Sequence, residues 1–379
     1  MILNEKSATR ILPVASGKGG VGKTLVASNL ALRLAANGHD TIAVDLDLGG
    51  SNLHSYLGLK NTNVGIGNLL SDGKLRFNDI VAETSVPHLK FVPGDVLVTG
   101  ASNLQPAQRR TIISGLEKLD AEYVVVDLGS GSTFNVVDFL LISNSAFIVT
   151  IPQRPAVVNA YSLLKNMTFR TLQKTFSENR KISAYLGRVL KEKRPGGAIT
   201  IREMVEEIAS KETRAGKKAR DALAILQPKV IVNMGRNVDD MGAIENLHET
   251  VERNLQINLE CLGMIAYDKR VADSISDLEP VTQVHPDSVV ALQIERIAQK
   301  ILQSDDFPYM PLDLESYKDT YELARIEAED DFADLKQEAE TAAGGASLET
   351  AELIELISEQ KRQINELRGA VRMLTMRQQ

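Results

Sequence analysis

The chain has 379 residues, 43% of them hydrophobic and 4% aromatic, and a formal net charge of −7. That composition suits one large packed domain with appendages and excludes an intrinsically disordered protein. A single cysteine, Cys261, rules out a disulfide framework within the chain, and no apolar run is long enough to span a bilayer. With no signal peptide expected, these features fit a reducing cytoplasm. Cys261 reads as a small buried residue on a strand. The five histidines lack metal-ligand spacing and read as structural or surface residues.

In chain order, residues 11–15 form a short apolar run suited to a buried strand. Next come Gly17, Lys18, Gly19, Gly20, Val21, Gly22, Lys23 and Thr24, then a helical pattern through Val26, Leu30 and Leu34 that stops at Gly38. Strand, glycine loop and helix are the context a phosphate-binding loop requires. Gly17, Gly20 and Gly22 let backbone N–H groups curl around phosphates where any Cβ would obstruct them. Lys23 supplies a point charge, and the Thr24 hydroxyl stands at the positive end of the helix, placed for Mg²⁺. Lys18 is a second loop lysine beyond the ordinary motif. A functionless glycine turn would need neither both lysines nor the threonine.

The apolar run 41–46 ends in Asp45-Leu46-Asp47, followed by Gly49, Gly50, Ser51 and Asn52. Both carboxylates fall at the C-terminal edge of a predicted strand, where parallel sheets bind ligands. One can orient water against a phosphate while the other supports the metal shell, and the alternative is that both only cap the loop. A third run, 123–126, delivers Asp127 and then Leu128-Gly129-Ser130-Gly131, the shape expected of an Mg²⁺-associated carboxylate. An aspartate after a strand is also a common turn residue, so the weight rests on the three segments together.

From about residue 170 to 220 basic residues exceed acidic ones by roughly eight. Ile201, Met204, Val205 and Ile208 are spaced for a helix, so a small helical insertion is expected beside the nucleotide edge. Its densest cluster is Arg188, Lys191, Lys193 and Arg194 before Pro195-Gly196-Gly197. The stretch is either an electropositive contact for DNA, anionic lipid or an acidic partner, or a solvated face. After about residue 303 the balance reverses, with Asp305, Asp306, Asp313, Glu327, Glu329, Asp330, Asp331 and Asp334. Such an arm either folds back on the basic insertion or keeps the appendage soluble. Pro308 and Pro311 mark the exit from the core, and Gly344-Gly345 reads as a joint.

Leu353, Ile357, Gln360, Ile364, Leu367, Val371 and Leu374 alternate in steps of four and three, which favours a short parallel two-stranded coiled coil. With about three heptads, pairing would need help from the core. The alternatives are an amphipathic membrane helix, opposed by Glu352, Glu355, Glu359 and Glu366, and a helix docked on the core.

The loop and its carboxylates resemble the MinD/ParA family of P-loop ATPases, whose deviant loop carries a signature lysine, over about residues 10–305. Residues 150–155 leading to Ala160-Tyr161, residues 230–234 and residues 263–268 are similar to its FlhG branch, a flagellar-number regulator. Iron–sulfur carriers of the same clan use paired cysteines, which this chain lacks. The resemblance implies that Lys18 reaches across a dimer interface to the partner's nucleotide, while Lys23 and Thr24 bind phosphate and Mg²⁺. It implies that Asp47 positions the attacking water, Asp127 belongs to the shell of Mg²⁺, Asp45 is a switch residue beside the metal, and Asn233 contacts adenine. Two departures are Gln153, where many relatives have an acid, and Ala266, where proline is usual. Only about ten residues precede the first strand, so the branch's N-terminal activating segment is not expected.

The expected fold is α/β: a doubly wound, mostly parallel sheet with a helical insertion at about 170–225 and a C-terminal helical extension. The ATPase domain is expected at 1–305, an acidic helical linker at 306–346 and the coiled coil at 347–379. The expected activity is an ATP- and Mg²⁺-dependent dimerising switch that hydrolyses ATP and positions or counts a cellular machine, with the flagellum foremost. It would work in the cytoplasm, peripherally at the membrane or cell pole, with a protein partner. The alternatives are a DNA-segregation ATPase acting through the basic insertion and a coiled-coil scaffold with secondary ATPase activity.

Overall fold

A computed structural model of the chain describes residues 9–60, 64–72, 74–94, 104–189, 199–303 and 320–343. Eight strands form one sheet: β1 (Arg10–Ser16), β2 (Thr41–Leu46), β3 (Ala82–Glu83), β4 (Leu89–Val92), β5 (Tyr123–Ser130), β6 (Phe147–Thr150), β7 (Lys229–Gly235) and β8 (Glu260–Ala266). Their order is β3-β4-β2-β5-β1-β6-β7-β8, parallel throughout except for the antiparallel β3–β4 pair. The central strands read as nearly unbroken β-branched runs, such as Val124-Val125-Val126 and Val230-Ile231-Val232, because both faces of a parallel sheet are covered.

On one face the helices Lys23–Ala36 and Val289–Leu302 pack over Leu12, Val14, Ala43, Val125, Phe147, Val149 and Ile231. The alternating residues Val44, Val124, Val126, Ile148, Val230 and Val232 are equally buried. Their face carries the helices Phe134–Leu140, Arg154–Thr175 and Gly242–Leu255, so the sheet is doubly wound as expected. Val26, Leu30 and Leu34 are all but inaccessible, and each such side chain stabilises the fold by roughly 1.5–3 kcal/mol. Gly38, at φ +89°, adopts the left-handed conformation that ends the first helix.

The insertion forms the helices Arg180–Val189, Ile201–Lys211 and Thr213–Ala224. Thr200 and Glu203 make a reciprocal capping box at the second of these, with hydrogen bonds of 3.1 and 2.7 Å. Ile201, Met204, Val205 and Ile208 are buried, and the third helix packs against Arg154–Thr175. Gly216 lies so close to Ala209 that any side chain there would collide with it. The cluster Lys191, Lys193 and Arg194 and the glycine turn after it lie outside the described residues.

One compact unit runs through Ala328 and a second comprises residues 329–379. The first therefore extends beyond the boundary expected at 305. The acidic helix Thr320–Ala343 begins inside it, with Tyr321, Leu323, Ala324 and Ala328 buried. Pro308, Pro311, the Gly344-Gly345 joint and the coiled-coil seam lie outside the described residues. Among the described residues no helix is long and apolar enough to cross a membrane.

Candidate functional site

β1 is central in the sheet, paired with β5 on one side and β6 on the other, and the chain leaves it directly into the glycine loop. Gly20 and Gly22 have φ of +77° and +84°, which turns successive N–H groups inward. Gly17 passes so close to the backbone of Asn159 and Ala160 that a Cβ could not be fitted, and a Cβ on Gly22 would strike the Asn233 amide. At Gly20 the space is open. The loop is thus clamped at both ends and free in the middle, a cradle that suits phosphate.

Beneath it, the Lys23 Nζ donates to Asp127 Oδ1 at 2.6 Å and the Thr24 hydroxyl donates to Asp127 Oδ2 at 2.8 Å. All three residues are buried. Asp127 does not follow a four-residue strand as expected. β5 runs on to Ser130 and holds Asp127 in register with Val14 on β1 and Asp45 on β2. Burial pushes its carboxyl up to about 6, Lys23 opposes that rise, and Asp45 adds to it.

The two carboxylates of 45–47 differ in environment. Asp45 is fully buried, and its oxygens accept from the Ser51 hydroxyl at 2.7 Å, Leu53 N at 3.0 Å and Asp47 N at 3.1 Å. Burial raises its pKa while those donors, and Lys23 more distantly, pull it down. Asp45 therefore staples the turn after β2, and each of its oxygens already accepts a hydrogen bond. Asp47 is partly exposed, with Oδ2 3.6 Å from Lys23 Nζ, and it flanks Gly129. Asn233 is buried at the end of β7 and donates to the Val21 carbonyl at 2.8 Å, which ties the loop to the far half of the sheet. Lys18 is exposed and makes no ion pair among the described residues.

Sequence reasoning noted Ser51 only as loop material and passed over Asn159. The hydroxyl's acceptor lies six residues back, and Asn159 acts through its backbone, which no side-chain pattern records. It also missed Asp138, whose carboxylate takes two hydrogen bonds from Arg170 at 2.8 and 3.0 Å and faces Arg109 and Lys174. Burial works against this carboxylate, but Arg170 and Lys174 hold it below its ordinary value. The Asp138 helix, Phe134–Leu140, starts just beyond the end of β5, so it connects that strand end to the Arg170 helix.

A glycine cradle at the C-terminal edge of a parallel sheet, above a lysine, a threonine and a buried aspartate, defines a P-loop nucleotide-binding domain. Residues 12–281 match the CobQ/CobB/MinD/ParA nucleotide binding domain, and the chain belongs to that family. It is 33% identical over 169 residues to the flagellum site-determining protein YlxH of Helicobacter pylori, covering 43% of this chain and 55% of that protein. It is 24% identical over 296 residues to the antiactivator FleN of Pseudomonas aeruginosa, covering 77% of this chain and 86% of FleN. Apart from FleN, the chain spans about half the length of the curated relatives it matches. Among solved structures, the Pyrococcus horikoshii septum site-determining protein MinD complexed with Mg-ADP superposes with a TM-score of 0.53 at 21% identity, over 79% of this chain and all of that one. MinD in the Aquifex aeolicus MinC:MinD cell division complex gives 0.53 at 18% identity, over 80% and 98%. Both show the fold.

Proposed function

We propose that the chain is a switch that binds ATP with Mg²⁺, pairs with a second copy in that state, and is reset by hydrolysis. The observation that carries this reading is the contrast between the two loop lysines. Lys23 is buried on Asp127, whereas Lys18, in the same loop, projects into solvent. A lysine with no ion-pair partner among the described residues of its own chain is suited to reach the nucleotide of a facing copy.

The cradle fits the group, since it is open at Gly20 and closed to side chains at Gly17 and Gly22. Loop N–H groups and Lys23 would hold the phosphates, and Thr24 with Asp127 would hold the metal and its water shell. Bound Mg²⁺ supplies positive charge against the developing phosphate negative charge. Lys23 exchanges its carboxylate partner for phosphate, and Asp47, partly exposed beside Gly129, orients the attacking water. Similarity to the flagellum site-determining protein YlxH supports a flagellar role. In the proposed reading the chain places or counts a cellular machine, in the cytoplasm or peripherally at membrane or pole, through a protein partner.

Size-exclusion chromatography with ADP and ATP tests the reading on wild type, Lys18→Ala and Asp47→Ala. ATP should produce a dimer that Asp47→Ala stabilises and Lys18→Ala weakens. A monomer in ATP for Asp47→Ala would sink it, and dimers indifferent to nucleotide and to Lys18→Ala would favour a scaffold held by its tail. One observation supports a second reading as a DNA-segregation ATPase: Arg214, Lys217, Lys218 and Arg220 all lie exposed on the helix Thr213–Ala224. Strong ATP-dependent DNA binding that falls steeply with salt would favour it.

A further inference from the structure

β8 is an edge strand, and an uncovered edge leaves backbone donors and acceptors without partners. Here the gap is filled by side chains from the start of the acidic helix. The Cys261 N–H donates to the Thr320 hydroxyl at 3.0 Å, and the Tyr321 hydroxyl donates to the Leu259 carbonyl at 2.7 Å. The Tyr321 ring also lies 4.4 Å from that of His248. Two turns on, Glu327 Oε2 accepts from the buried Lys300 Nζ at 2.6 Å, and Lys300 donates in addition to the Leu262 carbonyl at 2.9 Å. Burial lowers the Lys300 pKa and Glu327 opposes the fall. The other Glu327 oxygen is buried without a hydrogen-bond partner among the described residues. Burying that carboxylate oxygen closes the contact at a desolvation penalty, which keeps the docking free energy small.

The helix that carries Lys300, Val289–Leu302, also grips the phosphate-loop helix. Glu295 accepts from Asn37 at 3.0 Å and lies 3.6 Å from Arg33, and Gln299 donates to Asn37 at 2.9 Å. Gln293 accepts from Ala266 N at 2.8 Å, at the C-terminal end of β8. One rigid element therefore touches the nucleotide-loop helix, the edge strand and the acidic segment.

We propose that residues 320–328 form a releasable strap over the edge of β8, latched by Lys300 and Glu327, and that strap closure and nucleotide binding favour each other. This coupling rests on the nucleotide-binding reading above. Its sign follows from the shared helix: a closed strap fixes Val289–Leu302 and with it the helix that starts at the loop. Any such coupling acts equally in both directions.

Hydrogen exchange on the full chain tests it, because the Cys261 amide is protected by the strap itself. In Glu327→Gln, which removes the ion pair between Lys300 and Glu327, amides of β8 should exchange roughly tenfold faster than in wild type while those of β1 keep their rate. Tyr321→Phe, a milder change, should act in the same direction. Saturating MgATP should slow β8 exchange in wild type, and Glu327→Gln should bind MgATP more weakly. Unchanged β8 rates in both variants would overturn the strap, and so would equal acceleration of β1, which signals global unfolding. A wild type that binds MgATP with no effect on β8 would overturn the coupling. If wild type binds no MgATP, the nucleotide reading falls and the coupling with it, while strap opening is still read from the two variants.

Discussion

Asp127 is fully buried and feels both Lys23, which it accepts from, and Asp45. Its folded-state pKa of about 6 lies above the unbound value of 3.8. Between those values the folded chain holds the proton that the unfolded chain has released, so stability from this group is full below about pH 4 and is lost as pH rises through about 6. The difference amounts to at most about 3 kcal/mol. Thermal melts of the nucleotide-free protein should therefore show wild type losing stability relative to Asp127→Asn across that window, and a difference independent of pH would contradict the assignment. Gly17 to Thr24 could be read directly from sequence because a phosphate loop is local: the spacing of glycines, lysine and threonine is the structure. The Asp45–Ser51 and Asn233–Val21 contacts were not legible, because each depends on how a turn closes or on which strands become neighbours.

The elements show the same division. Runs of β-branched residues placed β1, β2, β5 and β7 to within a few residues, yet β5 extends four residues beyond its apolar core because β1 and β2 continue to pair with it. The start of the acidic helix shows how a composition argument can obscure a periodic one. Tyr321, Ala324 and Ala328 recur at helical spacing and are buried, but the surrounding carboxylates made the segment read as an acidic helical linker outside the core. Removal of residues 304–379 should lower the melting temperature by several degrees, since it strips the edge of β8 and leaves Lys300 buried without Glu327. Removal of residues 344–379 alone should leave it nearly unchanged. Equal melting temperatures for the two truncations would show that the strap contributes nothing to stability.

At the scale of the whole molecule, the order of the strands determines when the site can exist. The phosphate loop follows β1 directly, but among the described residues β1 pairs only with β5 and β6, which come more than a hundred residues later. Its closing contact, Asn233 on Val21, comes later still. During synthesis the loop therefore emerges before the strands that flank β1, and such distant pairings form only once the intervening chain is present. A nascent chain halted near residue 120 should retain no ATP, one halted near residue 200 should hold it weakly, and one with β8 clear of the exit tunnel should hold it as the full protein does. Nucleotide capture by arrested ribosome complexes would check the sequence of events. On the proposed reading, the central position of β1 would act as a safeguard in time, because a chain that lacks β5 and β6 cannot yet shape the loop that takes hold of nucleotide.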